Sequence, residues 1–80
     1  MNNKEGIGKE KITEGFLIEE GFSLTKVYPS YLRWDNGIFS INEQFGVYYG
    51  IKKQGTIPLN NKSDFFAYRI IRSIEKNKEY

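Results

Sequence analysis

Apolar and polar positions alternate through Tyr31–Leu59 (YLRWDNGIFSINEQFGVYYGIKKQGTIPL), and the alternation breaks near Gly37, Gly46 and Gly55. A period of two reads as half-buried strand, and glycine-bearing breaks read as turns. The pattern therefore predicts four short strands joined by three tight turns. Asn36-Gly37 is the strongest turn signal, because a type I′ turn needs positive φ at both central residues. A two-residue loop there sets Asp35 opposite Ile38, Trp34 opposite Phe39 and Leu32 opposite Ile41. Three-residue loops at Gln44-Phe45-Gly46 and Lys53-Gln54-Gly55 would each put glycine in the left-handed position of a bulge. They set Val47 opposite Glu43, Tyr49 opposite Ile41, Ile57 opposite Ile51 and Leu59 opposite Tyr49. One face then collects Leu32, Trp34, Phe39, Ile41, Val47, Tyr49, Ile51, Ile57 and Leu59. A slip of one residue would undo that agreement.

The flanking segments complete an α+β domain: a four- to five-stranded antiparallel β-meander packed against a C-terminal helix, with a short N-terminal helix. Ile12–Phe22 (ITEGFLIEEGF) predicts the first helix, with Thr13 as N-cap, Glu14 in the first turn and Gly21 at the left-handed C′ position. Leu24–Tyr28 predicts an additional edge strand, with a Pro29-Ser30 turn setting Val27 against Leu32. Pro58 suits the opposite edge, since proline donates nothing to a ladder. The closing helix is predicted from Ser63 as N-cap, with Asp64 in its first turn. Phe66, Ala67, Ile70, Ile71 and Ile74 form a stripe at helical spacing and are predicted to cover the sheet. Residues 1–11 read as a flexible arm and residues 12–80 as a single small domain.

Composition narrows the chemistry. The 80 residues include no cysteine and no histidine, so no disulfide framework, thiolate zinc site or Ser-His or Cys-His nucleophile pair is expected. The carboxylates, Asp35, Glu43 and Asp64 among them, show no spacing that suits paired acid–base work, and neither a Gly-Lys-Ser/Thr phosphate loop nor a dinucleotide fingerprint is present. A non-enzymatic protein with no cofactor and no metal is the expectation. With no apolar run near the ~20 residues of a membrane span and no apolar signal core at the start, it extends to a cytoplasmic protein without membrane contact. Net charge is only +2, but residues 1–20 carry −2 and residues 51–80 carry +4. That asymmetry points to an acidic partner on the C-terminal side.

Two surfaces are left as candidates. On the closing helix, Phe65, Tyr68, Arg69, Arg72 and Lys76 lie opposite the predicted core stripe, in the aromatic–basic mixture enriched at protein interfaces. Phe65 also has the alternative of tucking under the sheet edge. On the second face of the meander, Tyr31, Arg33, Tyr48 and Lys52, with Ser40 and Asn42, interleave rings with basic groups as single-stranded RNA or DNA readers do. Cross-strand tyrosine pairing would account for the same rings without a ligand.

Ile12-Thr13, Leu17, Gly21-Phe22, the tyrosine-rich meander and Ile57-Pro58-Leu59 leading into a closing helix give a layout covering nearly the whole chain. It resembles short proteins carried by phages and related mobile elements. The resemblance implies action by binding, as an inhibitor of a host protein or ribonucleoprotein defence complex of the anti-CRISPR type. RNA contact is possible, and oligomeric state is left open. The chain is not acidic, so mimicry of DNA is not the expected strategy.

Overall fold

A computed structural model describes residues 8–77. The element order is α1 (Glu14–Glu19), β1 (Ser23–Val27), β2 (Leu32–Asp35), β3 (Ser40–Gln44), β4 (Val47–Ile51), β5 (Thr56–Leu59) and α2 (Lys62–Asn77). The five strands form one antiparallel meander in sequence order, and the two helices share a core with a single face of it. The fold is α+β, as the pattern predicts.

The helix ends follow from side-chain chemistry. The Thr13 hydroxyl oxygen accepts from Phe16 N–H at 3.1 Å, capping α1. At the other end Gly21 has φ +90°, and Phe22 N–H reaches Leu17 O at 2.9 Å. That bond, with Gly21 N–H to Ile18 O at 3.0 Å, closes the helix as a Schellman motif. On α2 the cap is Asn61 rather than the predicted Ser63: Asn61 Oδ1 accepts from Asp64 N–H at 2.9 Å. Asp64 in turn accepts from Asn60 N–H, also at 2.9 Å. The flexible arm predicted for residues 1–11 falls mostly outside the described residues. Within them, Glu10 is tied to the start of α2, its carbonyl accepting from Lys62 N–H at 2.8 Å and its carboxylate pairing with Lys62 Nζ at 2.7 Å.

The turns differ from expectation in an instructive way. Asn36-Gly37 does not form a two-residue hairpin. Asn36 Oδ1 accepts from Ile38 N–H at 2.9 Å and Phe39 N–H at 2.7 Å, and Asn36 keeps a negative φ. The side chain thus stabilises a loop over residues 36–39, and Trp34 pairs with Ile41, two residues from the predicted register. The two-residue turn is Phe45-Gly46, where both residues have positive φ, 53° and 78°. This shifts β4 by one residue and turns it over, so that Tyr48 and Gly50 face the helices in place of Val47, Tyr49 and Ile51. The last loop spans residues 52–55, closed by Lys52 N–H to Gly55 O at 3.0 Å. Its own one-residue shift restores Ile57 and Leu59 to the core face.

Gly50 explains why β4 settles this way round. A Cβ at position 50 would lie 2.6–2.8 Å from three ring carbons of Tyr68. The ring of Tyr68 therefore sits where only glycine leaves room. Its hydroxyl lies 2.8 Å from Ser40 O and 2.7 Å from Ile51 O, so one donor serves two strand carbonyls. Around it Ile12, Phe16, Leu17, Phe22, Trp34, Phe39, Ile41, Tyr48, Leu59 and Phe65 complete the core. Phe65 meets Phe16 and Phe22 edge-on at 5.0 and 5.9 Å, the geometry that ring quadrupoles favour.

The two sheet edges differ. At β5, Pro58 pairs with Tyr49. At β1 every residue is exposed and a bulge falls between Leu24 and Lys26.

Candidate functional site

The closing helix is rotated relative to the predicted stripe. Phe65 and Tyr68, expected to point outward, are fully buried. Phe66, Ile70 and Ile74, expected to cover the sheet, are 41, 62 and 50 % exposed. A helix of sixteen residues offers two apolar stripes here, one mainly aromatic and one mainly aliphatic. The aromatic stripe fills the wide space above Gly50 and between Phe16 and Phe22, which the slimmer isoleucines would leave partly empty. Nothing in the hydrophobic pattern ranks the two stripes. The signal that distinguishes them is the lone inward Gly50, which marks the position of a large ring.

The outward stripe, with Phe39 at its margin, lines an open groove of about 430 Å³. Of the remaining predicted contact residues, Arg69 stands on this groove. It donates to Glu20 Oε1 at 3.0 Å, and its guanidinium carbon lies 5.8 Å from the Phe39 and Phe65 ring centroids. Arg72 is turned toward the sheet side and donates to Glu75 Oε1 at 2.9 Å. That bond, then Lys53 N–H and the charges of Arg72 and Lys52, hold Glu75 below the usual carboxylate range. Lys76 is exposed in the last turn. At the groove Arg69 is paired with Glu20, and Lys76 stands exposed two turns further along α2. Neither acid of α2 stands there, since Asp64 accepts from Asn60 N–H and Glu75 from Arg72.

The open face of the sheet is also only partly the predicted one. Tyr31 and Arg33 lie on it as expected, with Ser40 and Asn42. Tyr48 does not: it is buried among the core residues, beside Glu43, which also accepts from Trp34 Nε1 at 3.1 Å. Burial first, then the charges of Glu43 and Glu14, push the Tyr48 hydroxyl up to about 12. Lys52 acts on Glu75 from the helix side and leaves the open face too. In their place the structure brings Tyr49 and Lys26, so that Lys26, Arg33, Asn42, Tyr49 and Pro58 form one row across the five strands. Tyr28 stacks on Tyr31 at 4.4 Å and 24°.

One further residue stands out. Phe45 is 90 % exposed and has φ +53° at the tip of the β3–β4 turn. A side chain there costs backbone strain and gains no burial.

Among the described residues no group of three acidic side chains gathers as a metal site, and no helix is long and apolar enough to cross a membrane. No protein-family model, curated protein or solved structure matches the chain.

Proposed function

We propose that this chain is a non-enzymatic binding protein whose contact surface is the outer face of α2. One observation carries the reading: Phe66, Ile70 and Ile74 stand exposed on successive turns of a helix whose other face is already packed. Solvated isoleucines contribute nothing to the fold's own core, and contiguous exposed apolar side chains mark interaction surfaces. The exposed Lys76 beyond the apolar stripe favours a partner whose apolar ridge carries an acidic group at one end, while Arg69 is paired with Glu20. The surface differs from the predicted patch of Phe65, Tyr68, Arg69, Arg72 and Lys76 in its apolar members and keeps Arg69 and Lys76. In the more specific form that the phage-like layout implies, the partner is a protein of a host nucleoprotein defence complex and binding inhibits it.

The test is capture of the partner from host lysate by wild type and by an Ile70→Asp/Ile74→Asp variant. Capture by wild type, loss in the variant and an unchanged melting temperature are expected. Equal capture by both proteins would remove this face from the reading. An assay of the captured complex with and without the chain then tests inhibition.

A further inference from the structure

The open face of the sheet carries a second site that the α2 reading does not use. Tyr31 and Tyr49 both line an open concavity of about 590 Å³, whose lining includes Asn42 and Gln44. Two half-buried rings that share a concavity with two amides form an arrangement with a chemical meaning. Rings offer stacking surfaces to flat heterocycles, and amides offer a donor and an acceptor to heterocycle edges. Tyr28 stacks on one face of the Tyr31 ring, which fixes the ring's orientation. Arg33 Nε donates to Asn42 Oδ1 at 2.5 Å, which orients that amide. Two cations offer contacts to phosphate groups. Lys26 and Arg33 stand in the same row as Asn42 and Tyr49. Asp35 stands on the same face and keeps its negative charge while accepting hydrogen bonds from the Ser40 and Thr25 hydroxyls.

We propose that this face binds single-stranded nucleic acid, with bases stacked on Tyr31 and Tyr49, their edges on Asn42 and Gln44, and phosphates on Lys26 and Arg33. The strand must be single, because the bases of a duplex have no free face to lay on a tyrosine. Two cations set a weak electrostatic contribution, so stacking dominates. The expected salt dependence is correspondingly shallow, a slope of about −1.4 in log K against log salt for two phosphates at ~0.7 each.

Fluorescence anisotropy with the full chain tests this, using labelled oligo(rU), oligo(rA) and oligo(dT) of about ten nucleotides, the span one small sheet domain can cover, and a duplex of equal length. Binding to at least one single strand in preference to the duplex is expected. Tyr31→Ala and Tyr49→Thr should each weaken it by roughly 5- to 100-fold. Threonine at 49 keeps strand propensity while removing the ring, and melting temperatures verify that both variants fold. Arg33→Gln should flatten the salt slope by about 0.7. Three outcomes overturn the proposal: no binding of any single strand, equal binding of duplex, or binding that survives the loss of both rings. An Ile70→Asp/Ile74→Asp variant should bind nucleic acid as wild type does, which keeps the outcome independent of the α2 reading.

Discussion

The inner and outer faces of α2 are both rich in large apolar side chains, and their fates are opposite. Phe65 and Tyr68 have no exposed surface, while Phe66, Ile70 and Ile74 stand in solvent. Transfer free energy alone does not sort them, since fully burying an isoleucine or a phenylalanine is worth a similar ~1.5–3 kcal/mol. The difference lies in what waits on the sheet. Tyr68 finds a space shaped by the missing side chain of Gly50 and two strand carbonyls for its hydroxyl. The isoleucines would bring branched carbon to those carbonyls and leave them without a donor. Shape and hydrogen bonding orient this helix, and hydrophobicity only decides that some apolar face turns inward.

Four measurements would break or sharpen this contrast. The largest effect is expected for Tyr68→Ala, which removes a buried ring and the donor to Ser40 O and Ile51 O; a loss of about 3–5 kcal/mol by denaturant unfolding would match large-to-small changes elsewhere. Gly50→Ala comes next, at about 1–3 kcal/mol, because the new methyl overlaps the Tyr68 ring and must displace it. Tolerance of alanine at 50 would mean that the ring does not set the orientation of the helix. The third concerns pH. Burial raises the tyrosine hydroxyls of Tyr48, to about 12, and Tyr68 above the ordinary value of 10.0. A raised acid stays protonated in the fold while the unfolded chain ionises, so stability is intact below about pH 10 and falls as pH rises toward 12. Melting temperature across that window should decline, and Tyr48→Phe should blunt the decline. The smallest effect is expected on the outer face: Ile70→Thr should change stability by no more than about 0.5 kcal/mol. A loss of several kcal/mol there would place Ile70 in the core after all.

How far the fold could be read depended on which errors cancel. The strand and helix order, the Thr13 cap, the Gly21 stop and the pairing of Val27 with Leu32 all rest on local chemistry and were legible. The orientation of β4 was not. Asn36-Gly37 is the better type I′ sequence, yet Asn36 uses its side chain to hold a longer loop, and Phe45-Gly46 takes the two-residue turn. That single exchange moves Tyr48 into the core and Tyr49 to the open face. The compensating shift at residues 52–55 then returns β5 to its predicted side. The binding faces suffered more than the fold, because a site is defined by which side of a strand or helix a residue occupies. Arg69, Tyr31 and Arg33 stand on the side predicted for them, whereas Tyr48, Phe65 and Tyr68 belong to the core.

Pro58 sets a limit on how copies of this chain can accumulate. The meander ends on one side in a strand whose ladder includes a residue without an N–H, and on the other in β1, which keeps its donors. A copy that adds to β1 through its own β1 consumes both of these edges, and the joined sheet then terminates in proline at each extremity. Further addition at either end then meets a strand with one ladder donor fewer, so edge pairing beyond two chains is disfavoured.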